Sequence, residues 1–346
     1  MFVTGRAISQ NTSEIESTLA HPLLENAMVH VDDVRAAYKL ILGRDPENEE
    51  VLEAHAEQAH SLEELRHIFL HSSEFRNHFP GPPPVRPLIW PPIDVQVDSS
   101  DAQLLAMMNH IEANWAHIGF LDPHWSVCTA EPYRASNIAN TENLFYESGH
   151  DGPERLQRTA ERCAVDLQEF DRCFELGCGV GRMSIWLAGL FRKVVAGDIS
   201  RPHLEIARQA LERFHRTNVE LVQLNSFGAF GRLAEFDIMV SFIVLQHNPP
   251  PLIAYLLRTL LNKLRPGGVA YFQVPTYSPN YCFRIEEYLS NTLPSGGMEM
   301  HLIPQHQLFR IIDETRCRVL EIREDSWTGD YNTISNSIFL MKKSSP

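Results

Sequence analysis

The stretch FELGCGVGR, at residues 174–182, decides the fold predicted for this chain. The apolar run from Phe170 to Leu176 predicts a short buried strand, and the apolar spacing from Met183 to Leu190 predicts a helix. Three alternating glycines lie between them and allow positive φ values and a close approach of the backbone to a ligand. The start of the helix offers free N–H groups to an anionic group. The order of strand, glycine turn and helix therefore predicts a site of the nucleotide-binding kind.

An acid follows this turn at the distance expected of a ribose ligand. A second predicted strand, Val194 to Asp198, ends about 20 residues beyond the glycines, where a carboxylate can accept hydrogen bonds from both ribose hydroxyls. The alternative is an acid favoured by the helix dipole at a helix N-terminus. The third glycine, Gly181, comes one residue too early for the dinucleotide pattern G-x-G-x-x-G, and Arg182 holds that position.

Glu175 stands two residues before the first glycine, and the pattern E-x-G-x-G-x-G resembles motif I of the class I S-adenosylmethionine-dependent methyltransferases. The resemblance extends over residues 140–346 and rests on several motifs in order. It implies S-adenosylmethionine as cofactor and an α/β, Rossmann-like fold. In that fold a seven-stranded sheet, its last strand antiparallel, has helices on both faces.

The resemblance also assigns the cofactor a set of binding residues. The glycine turn would lie against the methionyl and ribose parts, Asp198 would accept both ribose hydroxyls and Ile199 would pack on the adenine. Glu175 would order the loop or reach the cofactor amino group. Asn225 would read the adenine amino group, or is a plain turn residue. The predicted cofactor-binding residues are Glu175, Gly177, Cys178, Gly179, Gly181, Asp198, Ile199, Asn225, Ser226 and Phe242.

The run VLQHNP, at residues 244–249, matches a run common in small-molecule methyltransferases. Its His247 could contact the cofactor, orient the acceptor, act as a base or fix the loop. Methyl transfer is an in-line displacement that depends on alignment, and an oxygen nucleophile must also lose its proton to a base. We therefore predict His247 or His301 as the general base and Asp325 as a possible orienting residue.

An insertion at about residues 276–306 occupies the place where members of the resembled family build substrate lids. Its polar residues, together with an aromatic stretch before motif I, predict a polar pocket for a hydroxylated acceptor. The alternatives are a surface loop and an aromatic cover for one edge of the sheet. The predicted acceptor-binding residues are Tyr133, Arg134, Tyr146, His301 and Gln305.

The rest of the chain predicts further regions on either side of a proline-rich segment. Helical stripes and a capping-box sequence at residues 61–64 indicate a small helical module. Seven prolines between Pro80 and Pro92 cannot form a helix or a central strand. The predicted regions are a flexible arm (1–26), an all-helical accessory module (27–80), a proline-rich linker (81–98), a helical cap and substrate region (99–165) and the S-adenosylmethionine-binding catalytic domain (166–346).

The sequences LGRDP at 42–46 and SEFR at 73–76 resemble a small helical module attached to bacterial enzymes of surface-polysaccharide assembly. With the polar lid, this resemblance predicts O-methylation of a glycan or glycan precursor. The alternatives are methylation of a small natural product or metabolite, a nicotinamide oxidoreductase, which the early third glycine disfavours, and a non-catalytic cofactor-binding assembly protein. The module would also supply the contact for a homo-oligomer or an assembly partner.

The composition disfavours several further classes of protein and partner. The 346 residues are 44% hydrophobic and 21% charged, as in ordinary globular proteins. A net charge of −14 disfavours nucleic acids and anionic membrane surfaces as partners. The six cysteines form no C-x-x-C pair, so no metal site is predicted. No signal peptide and no apolar run of membrane-spanning length is recognised, which predicts a cytoplasmic location.

Overall fold

The computed structural model divides the chain into two compact units, Met1–Leu88 and Ile89–Pro346. This division falls inside the predicted proline-rich linker. The predicted arm, residues 81–90 of the linker and residues 291–296 of the predicted lid lie outside the described residues. The structure describes residues 29–70, 72, 74–75, 91–290, 297–330 and 332–344.

The described part of the first unit is helical, as its apolar stripes predict. The helices are α1 (Val31–Ala37), which continues as a π-helical turn (Tyr38–Leu42), α2 (Glu49–Gln58) and α3 (Leu62–Leu70). Gly43, with φ of +70°, ends the first helix in the left-handed conformation that glycine favours. Arg44 donates to Glu74 at 2.8 Å, so an ion pair joins the two segments, LGRDP and SEFR, that carry the resemblance.

The second unit is organised around a mixed β-sheet. The strands are β1 (Asp94–Val95), β2 (Arg172–Leu176), β3 (Lys193–Asp198), β4 (Val219–Gln223), β5 (Phe236–Ser241), β6 (Leu264–Tyr277), β7 (Cys282–Phe283), β8 (Cys317–Asp325) and β9 (Ile334–Lys342). Seven of them pair in the order β4-β3-β2-β5-β6-β9-β8, and β1 pairs with β7 in a separate sheet.

The direction of these strands confirms the predicted fold. Strands β2 to β6 pair in parallel, whereas β9 runs antiparallel to both β6 and β8. The chain moves outwards from β2 to β4 and then returns to β5 on the other side of β2. Such a reversal leaves a crevice at the carboxyl ends of the strands, where ligands bind in open α/β sheets.

Helices cover both faces of the sheet, and each face has its own apolar core. Along β2, Phe174 packs in one core and Cys173 in the other, since successive side chains point to opposite faces. The helices are α4 (Asp101–Leu121), α5 (Pro123–Val127), α6 (Ile138–Glu147), α7 (Asp151–Arg162), α8 (Ser184–Leu190), α9 (Arg201–Arg213), α10 (Phe227–Arg232), α11 (Pro250–Lys263), α12 (Ile285–Ser290) and α13 (Gln305–Glu314).

No helix among the described residues is both long enough and apolar enough to cross a bilayer.

Candidate active site

A cavity of about 590 Å³ opens at the carboxyl ends of β2, β3 and β5. It lies at the point where the strand order reverses, and its volume is typical of small-molecule sites. Its lining comes from motif I, the strand ends and helices α4, α5, α7, α9, α10 and α11. The insertion at about residues 276–306, called the lid segment below, also contributes. The predicted site residues that line it are Tyr133, Glu175, Gly177, Cys178, Gly179, Asp198, Ile199, Phe242 and His247.

The glycine turn presents bare backbone to this cavity. Gly177 and Gly179 have φ values of +75° and +53°, which L side chains rarely adopt. A Cβ on Gly177 would lie 2.2 Å from Cγ2 of Val244, and one on Gly179 would lie 2.5 Å from Cγ2 of Val127. Both conformation and space therefore require glycine at these two positions.

The Asp198 carboxylate ties the glycine turn to the start of α9. Its Oδ2 accepts from the Gly179 N–H at 2.8 Å, and its Oδ1 accepts from the Ser200 N–H at 2.8 Å. A carboxylate oxygen accepts more than one hydrogen bond, so both oxygens can still accept from a ligand hydroxyl in the cavity. The Ser200 hydroxyl donates to the Trp115 carbonyl at 3.0 Å and does not cap α9.

Glu175 lies buried beneath the glycine turn. The Ser184 hydroxyl donates to its Oε2 at 2.5 Å. Burial raises the pKa of the Glu175 carboxyl to about 7, against the opposing effect of the Ser184 hydrogen bond. In the described structure the carboxyl thus has a single hydrogen-bond donor, on α8, and little solvent.

Substitution of Glu175 is expected to change how stability depends on pH. The raised pKa means that the folded protein holds this proton more tightly than the unfolded chain. The stability it contributes is fully present below pH 4.5 and is lost as the pH rises through about 7. We expect Glu175→Gln to flatten this dependence and to raise the free energy of unfolding above pH 7 by about 1–3 kcal/mol.

Denaturant unfolding across this pH range measures the difference. The matched control is Glu220→Gln, because Glu220 is exposed and pairs with Lys193. We expect the control to follow the wild-type pH dependence. Parallel curves for wild type and Glu175→Gln would contradict the assignment of a raised pKa to this carboxyl.

His247 lies in a 3-10 turn (Leu245–His247) after β5 and lines the cavity. Its Nδ1 lies 2.8 Å from the carbonyl oxygen of Glu299. A carbonyl only accepts, so Nδ1 carries the proton and Nε2 keeps a lone pair. Burial lowers the pKa of His247, and the ring is therefore neutral near pH 7. The arrangement provides a base at the cavity wall.

The lid segment forms a closed polar network around Glu299. His301 places Nε2 3.0 Å from Glu299 Oε2 and Nδ1 2.8 Å from the Tyr281 hydroxyl. Glu299 also accepts from the Tyr288 hydroxyl at 2.7 Å and lies 2.8 Å from His110 Nε2. Burial would raise the pKa of Glu299, but the hydrogen bonds from His301, Tyr288 and His110 hold it below its usual value.

The position of His301 corrects the expectation that it offers a second base in the site. The described residues that line the cavity include His247 but not His301, whose ring nitrogens face Tyr281 and Glu299 within the network. The polar side chains around Glu299 thus bond to one another, whereas the described lid residues that line the cavity are apolar. They are Met298 and Met300.

Two predicted acceptor residues before motif I also lie outside the cavity lining. Tyr146 is 1% exposed and its hydroxyl donates to the Val180 carbonyl at 3.3 Å, so it is a core residue. The Arg134 guanidinium stacks 3.6 Å from the centre of the Trp125 ring and pairs with Asp122 at 2.9 Å. Both residues therefore bond to neighbouring groups outside the cavity, which corrects their predicted role as acceptor-binding residues. Tyr133 does line the cavity.

Asp325 and Gln305 require the same correction. Asp325 ends β8, where its carboxylate accepts from the Ser337 hydroxyl at 2.8 Å and from the Trp327 N–H at 3.2 Å. Its contacts thus order the turn that follows β8, and it does not contact His247. Gln305 is the exposed first residue of α13. Neither lines the cavity, although Trp327 and Thr328 do.

Three predicted cofactor-binding residues lie outside the cavity lining of the described structure. Asn225 donates from Nδ2 to Glu112 Oε1 at 2.7 Å, and Ser226 accepts from the Ala229 N–H to begin α10. Gly181 has φ of +80° and packs against α9. The cavity lining of the described structure does not include these three residues, so their contact with the cofactor stays a prediction.

Several lining residues escaped the sequence analysis. Arg182 and Gln246 directly adjoin motif I and His247, and that adjacency was the available signal. The others come from the helices before motif I, from α9 and from the turn after β8, and no local pattern marks them because they reach the site only through the tertiary fold. In that order they include Trp115, Ser126, Val127 and Arg155, then His203, then Trp327.

Comparison with known proteins agrees with this geometry. Residues 174–268 match the family model described as methyltransferase domain. The ubiquinone biosynthesis O-methyltransferase of Xanthomonas campestris is 28% identical over 149 residues, which are 42% of this chain and 59% of that protein. Its namesake from Proteus mirabilis is 25% identical over 190 residues, covering 53% and 75%.

The magnesium protoporphyrin IX methyltransferase of Synechocystis PCC 6803, crystallised with bound SAH, aligns with a TM-score of 0.46 at 13% identity and covers 68% of this chain and all of that one.

Residues 174–268 are therefore a methyltransferase domain. The predicted class, that of S-adenosylmethionine-dependent methyltransferases, and its cofactor are confirmed for this domain. The chain spans about 59% of the length of the Xanthomonas relative.

Proposed function

We propose that this chain is an S-adenosylmethionine-dependent O-methyltransferase whose acceptor is a small molecule with an apolar body. His247 would act as the general base. The observation that carries the proposal is the single cavity into which the glycine turn, Asp198 and His247 all open.

The residues of the cavity fit the proposed cofactor. The turn at Gly177 and Gly179 has no side chain in the way of a ligand, and Asp198 keeps acceptor capacity for two ribose hydroxyls. Arg182 lines the cavity, and its Nε is buried with no hydrogen-bond partner in the described structure. A carboxylate, such as that of the methionyl part, would satisfy this donor.

Bound S-adenosylmethionine supplies an electrophilic methyl group on a positively charged sulfur. The glycine turn and Asp198 would hold the nucleoside and fix the direction from which the acceptor must approach. Nε2 of His247 would take the proton of the acceptor hydroxyl as the oxygen attacks. The apolar walls would keep competing water away.

The lining favours one class of acceptor over the other. A glycan acceptor was predicted from the resemblance of the helical module together with the polar lid residues. Two of those lid residues, Glu299 and His301, bond to each other and to further side chains of one network. The cavity walls that come from α4, α11 and the lid are apolar: Met108, Ile111, Leu252, Leu256, Met298 and Met300. A small metabolite with an aromatic or aliphatic body matches this lining. The relatives named for ubiquinone biosynthesis support the same choice.

Acceptor profiling with methyl-labelled S-adenosylmethionine tests this proposal. We expect phenols and catechols with an apolar substituent to be labelled at least ~10-fold faster than nucleotide sugars, since burial of an apolar body adds binding free energy in this cavity. Preference for a sugar would overturn the acceptor class. Cofactor binding without transfer to any acceptor would support the non-catalytic alternative, and binding of a nicotinamide cofactor instead would overturn the enzyme class.

A further inference from the structure

Buried amides link the end of β5 to His247. We propose that Gln273 is a positioning residue that, through Gln246, keeps Nε2 of His247 unprotonated, a role that rests on the proposed function of His247 as a base. Gln273 lies on β6 and lines no part of the cavity in the described structure, so it does not touch the ligands.

The orientation of the Gln273 amide follows from a backbone group. The Ile243 N–H donates to Gln273 Oε1 at 3.2 Å. A backbone N–H can only donate, so the atom facing it must be the amide oxygen. Nε2 of Gln273 consequently points the other way, towards Gln246 Oε1 at 3.0 Å and the Ser335 hydroxyl at 2.5 Å. Gln273 is 0% exposed, so water offers no alternative partner.

The same reasoning orients Gln246. Because it faces an N–H donor of Gln273, its acceptor oxygen must lie on that side. Its Nε2 then faces Nε2 of His247 at 3.4 Å and the Met300 sulfur at 3.6 Å. Gln246 donates towards the ring, which agrees only with a lone pair on the histidine nitrogen.

The hydrogen bond on the other side of the His247 ring independently indicates the same position for the proton. Nδ1 of His247 faces the Glu299 carbonyl and must donate to it. Donation therefore runs in one direction, from the Ile243 N–H through Gln273, Gln246 and His247 to the carbonyl of Glu299. Reversal of any one amide would set two donors or two acceptors face to face in the interior, which is costly.

The backbone where these hydrogen bonds begin is itself unusual. Ile243 has φ of +57°, although a β-branched residue rarely adopts the left-handed region. It is 41% exposed and lines the cavity. The bond to Gln273 is what holds this strained N–H inwards. Strain maintained at a cavity wall is typical of functional positions.

The substitution Gln273→Glu tests the direction of donation. The introduced carboxylate would accept from the Ile243 N–H and the Ser335 hydroxyl, and these donors favour its ionised form. Gln246 must then turn its amino group towards this carboxylate and its oxygen towards His247. The His247 ring would face acceptors on both sides, while the other charged groups that act on it, Glu299 and His301, stay as they are.

We expect two results for Gln273→Glu. The titration midpoint of His247, followed by NMR of nitrogen-labelled histidine in the full chain, should rise by about one pH unit or more. Above that midpoint the neutral ring should gain the form protonated at Nε2, an effect that an added charge alone would not produce. The acidic limb of the kcat/KM profile should shift by the same amount.

Gln273→Met is the matched control, because it keeps the side-chain length and removes both the amide oxygen and the amide nitrogen. We expect it to lower turnover without raising the midpoint or moving the proton to Nε2. A Gln273→Glu variant that binds SAH normally but keeps the wild-type midpoint and the Nδ1 proton would overturn the proposal. The NMR titration needs no acceptor, so it can succeed or fail separately from the proposed methyl transfer.

Discussion

His247→Gln is expected to lower methyl transfer by at least about 100-fold while the affinity for SAH stays within threefold of wild type (~0.6 kcal/mol). The variant keeps a polar side chain but has no basic nitrogen where Nε2 now stands. The loss should appear in kcat at saturating acceptor, since proton removal belongs to the chemical step. Measurement of kcat by label transfer and of SAH affinity by calorimetry checks both halves.

Two further histidine variants serve as the control and the comparison for His247→Gln. His117→Gln is the matched control, because His117 is exposed on α4, and we expect wild-type turnover. His301→Gln should cost less than His247→Gln, because His301 bonds to Tyr281 and Glu299 and acts only through the lid. If His301→Gln proves the more damaging of the two, the base has been assigned to the wrong residue.

Asp198→Ala is expected to weaken S-adenosylmethionine binding by at least about 100-fold. The carboxylate accepts from the N–H groups of Gly179 and Ser200 and is proposed to accept from two ribose hydroxyls. Hydrogen bonds to a charged group contribute about 1.5–3 kcal/mol each, so the loss of two is sufficient for this effect. Calorimetric titration with S-adenosylmethionine and with SAH measures it.

Asp237→Ala provides a closely matched control at the opposite end of the same sheet. Asp237 also accepts from two backbone N–H groups, those of Asp171 and Arg172, and pairs with Arg265 at 3.0 Å. We expect this variant to lower the free energy of unfolding but to bind the cofactor normally once folded. Equal loss of affinity in both variants would mean that Asp198 acts through stability alone.

The predicted fold and the observed fold agree because their signals are local. The positive φ values of the glycine turn demand glycine at Gly177 and Gly179, and these residues are visible in any single sequence. The strands of a doubly covered sheet are apolar on both faces, so their continuous apolar runs are equally visible. The end of each such strand then marks one edge of the sheet, which is how Asp198 and His247 were found.

The acceptor side of the site was predicted less well, because its residues have competing partners. Three predicted acceptor-side residues are of types that often line a pocket but have other partners here. Tyr146 packs in the core, Arg134 stacks on the Trp125 ring and Asp325 accepts from Ser337 on the neighbouring strand. The type of a polar residue shows which groups it can bond to, but not which of several possible partners the fold places within hydrogen-bond distance.

By itself, the sequence determined the class of fold, the cofactor turn and the acid at the end of β3. Backbone conformation and apolar periodicity each depend on residues that are close together in the sequence. Only the tertiary structure decided which way the described lid side chains face and which nitrogen of His247 carries the proton. Those choices depend on Glu299, 52 positions beyond His247, and on Gln273, 27 positions beyond Gln246. Hydrogen-bond partners so far apart meet only when the chain has folded.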